Sequence, residues 1–121
     1  MQYMLLIYGD ESQYAGMQNN PEAMKQMYAA YTQYGSDMRA AGVLCGGAEL
    51  KPVATATTVR LKNGKTVTTD GPFAETKEQL GGYYTIDVAN LDEAVKWAAR
   101  CPGAQGGSIE VRPVGLTPDA D

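Results

Sequence analysis

From Asn20 to Gly42 the chain carries a pattern that suits a helix and little else. Met24, Met27, Tyr28, Tyr31, Gly35, Met38 and Ala41 recur at spacings of three and four residues. That spacing places them on one face of a helix with 3.6 residues per turn. Asn20-Pro21-Glu22 supplies a capping side chain, a proline for the first turn and an acid near the positive end of the dipole. Gly42 suits the left-handed position that closes such a helix. A long helix with one apolar stripe must bury that stripe, so the flanking segments have to supply a surface for it.

Those segments read as strands. Residues 2–8 are nearly all apolar, as expected for a short strand buried on both faces, and Gly9-Asp10 ends the run. Residues 11–19 are polar and read as a loop. Residues 43–50 read as a second strand with a bulge at Gly46-Gly47, closed by Lys51-Pro52. Residues 56–61 and 65–69 are rich in Thr and Val, and Asn63-Gly64 lies between them, a strong hairpin signal. Asp70-Gly71-Pro72-Phe73 breaks the chain, and residues 74–80 are expected to form one short helical turn. Residues 82–88 form a further strand. Asn90-Leu91-Asp92-Glu93 opens a second helix with capping-box spacing, whose apolar face is Leu91, Ala94, Val95 and Ala98. Cys101-Pro102-Gly103 ends it, 107–114 is the last strand, and 115–121 is a polar tail.

The order predicts a single α+β domain over residues 1–114. Its core is a ferredoxin-like β-α-β-β-α-β unit with an inserted β-hairpin. Both helices of such a unit pack on one side of the sheet. Strand alternation assigns Tyr84, Ile86, Val88, Ile109 and Val111 to the helix side. Tyr83, Thr85, Asp87, Ser108, Glu110 and Arg112 go to the far side. The first strand has no polar row, so its far-side residues would leave an apolar patch in a monomer. Such patches mark partner surfaces, and the expectation is a homodimer with facing sheets and a partly polar cavity between them; the alternative is a monomer in which the loop after Gly9 or the inserted hairpin covers this face.

Composition removes several functions. The net charge is −4 and no Lys/Arg cluster occurs, which argues against nucleic acid and anionic membrane surfaces as partners. The apolar run 4–8 is too short to span a bilayer, and the expected location is the cytoplasm. The sequence has no histidine, which excludes Ser-His-Asp triads, Cys-His dyads and most zinc sites. Cys45 and Cys101, far apart in the chain, read as buried small residues in a reducing compartment. Neither an EF-hand nor a phosphate-binding glycine motif is present, so no metal and no cofactor is expected.

The residues suited to chemistry lie elsewhere. Asp70, at a rigid Gly-Pro turn, suits a general base or a polar contact; it equally suits a turn cap that accepts backbone N–H bonds. Glu75, Lys77 and Glu78 stand beside it as a mixed-charge site or a solvated loop face. Asp87, Glu110 and Arg112 are the far-side charges, with an Arg112–carboxylate pair expected, and Tyr83 offers a phenol as proton donor. Tyr28, Tyr31 and Tyr34 read as core and helix-surface residues rather than a binding cage.

Asp70-Gly71-Pro72-Phe73-Ala74-Glu75-Thr76-Lys77-Glu78, followed by Leu80-Gly81-Gly82-Tyr83-Tyr84, resembles the YCII-related family in the branch named for its Asp-Gly-Pro-Phe motif. The opening Tyr3-Met4-Leu5-Leu6-Ile7-Tyr8 and the closing Glu110-Val111-Arg112-Pro113 fit as well. The resemblance implies a ferredoxin-like domain that dimerises as an α+β barrel, mostly of unassigned function. It also implies a link to sigma-factor-related proteins, beside which some members are encoded or to which they are fused. The His-Asp pair of other branches has no counterpart here. The resulting expectation is a dimeric domain that binds a small polar molecule or serves as an accessory. The alternatives are a cofactor-free enzyme with Asp70 as acid/base and Tyr83 as donor, or a protein-interaction domain linked to sigma-factor regulation.

Overall fold

The computed structural model describes residues 1–116. Its first strand, β1 (Gln2–Gly9), is followed by helices α1 (Glu11–Gln18) and α2 (Pro21–Ala40) and by strand β2 (Leu44–Glu49). A single turn of 3-10 helix at Val53–Thr55 leads into β3 (Thr57–Lys62) and β4 (Lys65–Asp70). Then come β5 (Gln79–Asp87), α3 (Leu91–Arg100), a 3-10 turn at Pro102–Gln105 and β6 (Ser108–Pro113). Four strands pair antiparallel in the order β2-β5-β1-β6, while β3 and β4 pair only with each other. The described residues are thus α+β, with antiparallel sheets and three α-helices, an arrangement compatible with a ferredoxin-like fold.

The core lies between the four-stranded sheet and the helices α2 and α3. Leu5, Met38, Ile86 and Cys101 are fully buried, and Tyr3, Tyr34, Val88, Ala94 and Ala98 surround them. Register brings the sheet contribution together: Leu5 stands opposite Tyr84 on one side and Val111 on the other, and Tyr3 stands opposite Ile86. The helix-side rows read from alternation are therefore the rows that pack. The expected caps also form: Asn20 accepts from Ala23 N and Asn90 from Glu93 N, and Gly42 takes a φ of 73° after α2.

Several local expectations fail. The segment after Gly9 is helix α1 rather than a loop. Asp10 caps it, accepting from Ser12 N at 2.9 Å and Ser12 Oγ at 2.6 Å. The rest of its hold is long-range, since the Glu11 carboxylate accepts Val53 N–H at 3.0 Å and Glu11 N–H donates to Gln79 Oε1 at 2.9 Å. Residues 74–80 form no helical turn, because β5 begins at Gln79 and pairs back to Tyr8 and Gly9. On α3, Leu91 and Val95 are about half exposed, and the packed face is Ala94, Trp97 and Ala98. On α2 the buried residues are Tyr34, Gly35 and Met38. Tyr34, outside the expected stripe, donates its hydroxyl to Trp97 O at 2.7 Å and meets Tyr84 edge-on at 5.4 Å. Cys45 is exposed at the register shift between Leu44 and Gly46, while Cys101 is buried as expected. The tail from 117 lies outside the described residues.

Candidate functional site

The C-terminal half of α2 is buried on the sheet, but its N-terminal half faces a cavity. Met27, Tyr28 and Tyr31 line it from α2, and Tyr14, Ala15 and Gln18 from α1. Ile7, Gly81, Gly82 and Tyr84 form its floor at the end of the sheet, and residues 47–52 form the opposite wall. Its volume is about 800 Å³, within the range that takes a drug-sized molecule. Helix α1 supplies one whole wall, which is why reading residues 11–19 as a loop hid the cavity.

Close approach of backbone shapes the deep end. Gly103, in the turn after α3, has no Cβ; one added there would lie 2.8 Å from Tyr31 Oη and 2.9 Å from Ile7 Cγ2. Burial, together with the thiol of Cys101 beside it, raises the Tyr31 phenol well above its ordinary range. Burial also raises Tyr84, with Cys101 adding to the shift, and raises the Cys101 thiol itself. Nearer the mouth, the hydrogen-bonding phenol of Tyr14 and then the charge of Glu49 raise Tyr28. The tyrosines Tyr28, Tyr31 and Tyr84 are therefore neutral hydrogen-bonding groups on a largely apolar wall.

The residues singled out in the sequence are not the ones that line this cavity. Asp70 is exposed at the end of β4, opposite Thr57. The turn beside it is closed by Gly71 N–H onto Ala56 O at 2.7 Å and by Thr58 Oγ onto Gly71 O at 2.8 Å, and Phe73 is 80% exposed. Glu75 and Lys77 are exposed, and Glu78 accepts from Ser108 Oγ at 2.7 Å. Tyr83 is half-buried in β5, on a different sheet from Asp70, beside Leu6 on the far face. Asp87 pairs with the N-terminal ammonium at 2.9 Å. Arg112 pairs with Glu110, two residues along the same strand and on the same face. Arg112 holds the Glu110 carboxyl below its usual range, and Tyr8 donates its hydroxyl to Glu110 at 3.2 Å. The structure thus gathers Glu110, Arg112 and Tyr8 into one far-face cluster and leaves the Asp70 loop apart. Among the described residues, no group of three or more Cys, Asp or Glu is placed to hold a metal ion.

Sequence reasoning missed Tyr14, Tyr28, Tyr31 and Glu49 as site residues. One signal was present: the apolar stripe of α2 continues toward its N-terminus through Met24, Met27 and Tyr28, further than the sheet-packed part needs.

Comparison with known proteins fixes the relationship. The model of the YCII-related domain matches residues 1–116. The chain belongs to the YCII-related family. It is 42% identical over 120 residues to an uncharacterized protein of Rhizobium meliloti, covering 96% of this chain and 94% of that one. This chain is a YCII-related domain of unassigned function. Among its described residues, no helix is long and apolar enough to cross a membrane.

Proposed function

We propose that this YCII-related domain binds a small molecule in the cavity between α1, α2 and the end of the sheet, and that it works as a homodimer built on the far face of that sheet. The carrying observation is the cavity itself, about 800 Å³ lined by neutral phenols and apolar side chains with a few carboxylates at its edge. A pocket of this make-up with perturbed ionisable groups is the usual form of a ligand site. The finer architecture belongs to the same reading: a ferredoxin-like unit with β3–β4 inserted, paired with a second copy as an α+β barrel. Its support is the far face, where Leu6 stands between Tyr83 and Glu110 and Met4 between Thr85 and Arg112. This face carries apolar side chains at its centre and no helix of its own chain.

A thermal-shift screen of small metabolites against wild type, Ala15→Trp and Asp70→Ala tests the site. Ala15→Trp adds an indole to the cavity wall. A ligand that raises the Tm of wild type and Asp70→Ala but not of Ala15→Trp supports the cavity. The reverse pattern returns the site to the motif loop and ends this reading. For the dimer, light scattering should give twice the chain mass for wild type and one chain mass for Leu6→Glu with its far-UV spectrum intact. A wild-type mass of one chain at micromolar concentration removes the dimer.

A further inference from the structure

The charges around the cavity narrow its ligand, on the assumption that the cavity is the binding site. Asp10, Glu11 and Glu49 lie on its lining, Lys51 is the one cationic side chain among the described lining residues, and Lys77, off the lining, acts on Asp10. Two of the carboxylates are held in place. Asp10 caps α1 through Ser12, which lowers its pKa, and Glu11 accepts the Val53 N–H. These same carboxylates occupy the positive end of α1, so the helix terminus nearest the cavity offers an anion nothing. Glu49 stands on the β2 wall and takes part in none of the ion pairs among the described residues. The aromatic walls act in the same direction. A neutral phenol ring presents a negative π-face, which attracts cations and gains nothing from anions. The chain as a whole adds its net charge of −4.

We infer that the cavity takes an organic cation with an apolar or aromatic body, its charged end beside Glu49 and the ring of Tyr28 and its body toward Tyr31 and Tyr84. A quaternary ammonium or a protonated amine has this chemistry. A carboxylate or phosphate of the same size would meet three like charges on the lining, with Lys51 beside them and Lys77 near Asp10.

Calorimetric titration at low ionic strength, with three probes that share a benzyl body and are of similar size, decides the matter: benzylammonium, benzyl alcohol and phenylacetate. The cation should bind about tenfold or more tighter than either of the others and should weaken as salt is added. Glu49→Gln and Tyr28→Leu should each weaken it about threefold. Lys51→Gln should strengthen it. Asp92→Asn, an equal change of net charge at the start of α3, should leave it unchanged. Equal or tighter binding of benzyl alcohol or phenylacetate overturns the inference, as does an equal loss in Glu49→Gln and Asp92→Asn. If the neutral or anionic probe binds wild type and Ala15→Trp abolishes that binding, the cavity stands and only its preference for cations falls. If no probe binds wild type, the inference falls and the cavity reading rests on the metabolite screen.

Discussion

The hairpin β3–β4 and the four-stranded sheet are built from similar β-favouring residues, yet their surroundings differ completely. In the main sheet Tyr3, Leu5 and Ile86 are buried and pack against two helices. In the hairpin every residue of β4 is exposed, and so is every residue of β3 except Thr58. Val59 and Leu61 share one of its faces at 59% and 73% exposure. The hairpin exists because its turn is right: Asn63 and Gly64 both adopt positive φ, 52° and 77°, as a two-residue turn matched to strand twist requires. Lys62 and Lys65 even face each other across its end, a pairing of like charges that weakens it. Pairing therefore follows from local sequence, whereas burial depends on what the rest of the chain brings alongside.

The largest effect that contrast predicts is on side-chain truncation. Leu5→Ala, at a fully buried site, should lower unfolding free energy by about 3 kcal/mol in urea denaturation. A loss below about 1 kcal/mol would mean the core relaxes around the site and the two sheets differ less than their burial implies.

Alkali should also separate the two regions. Burial first, then the Cys101 thiol, raises the folded-state phenols of Tyr31 and Tyr34 above the ordinary 10.0. Above pH 10 the unfolded chain releases protons that the folded chain retains, so stability is full below that value and falls as pH rises through it. Tyr31→Phe should flatten this decline in denaturation measured across alkaline pH. An unchanged slope would assign the decline to Tyr34 and other groups. The hairpin holds no tyrosine and contributes nothing to the effect.

Smaller still is the effect at the hairpin turn. Gly64→Ala forces a Cβ into a left-handed conformation, costing about 1 kcal/mol. Because the hairpin packs on no core element, that cost should appear as faster amide exchange in residues 57–70 with the global Tm nearly unchanged. A matching fall in Tm would show that hairpin and sheet unfold together. Smallest is Leu61→Ala, expected within about 0.5 kcal/mol by urea denaturation. A larger loss would place Leu61 in an interface with a second copy.

Much of the fold was legible because its signals are local. The caps at Asn20 and Asn90, the Asn63-Gly64 turn and the alternation in β5 and β6 each act over a few residues, and each formed as expected. Helix α1 was not legible. Its residues carry no clear apolar stripe, and besides the Asp10 cap it is held by Val53 and Gln79, which lie 42 and 68 residues from Glu11. The face of α3 was half legible. Leu91 and Val95 have the right spacing, but Trp97 is the bulkier partner, and the helix turns it toward Tyr34.

The candidate site was the least legible part. Asp70 and its neighbours stand out in the sequence because Gly-Pro turns and charge runs are visible there, yet Asp70, Glu75 and Lys77 are exposed and none of them lines the cavity. Tyr14, Tyr28, Tyr31 and Glu49 look ordinary one at a time and become a site only where α1, α2 and β2 converge. Local sequence dictated most of the elements, α1 excepted, together with the side of the sheet that the residues of β5 and β6 face and the acidity that disfavours anionic partners, because short-range sterics and total charge depend on the chain alone. Tertiary structure decided where a cavity remains. A void is the difference between surfaces brought together from distant segments, and no single segment encodes it.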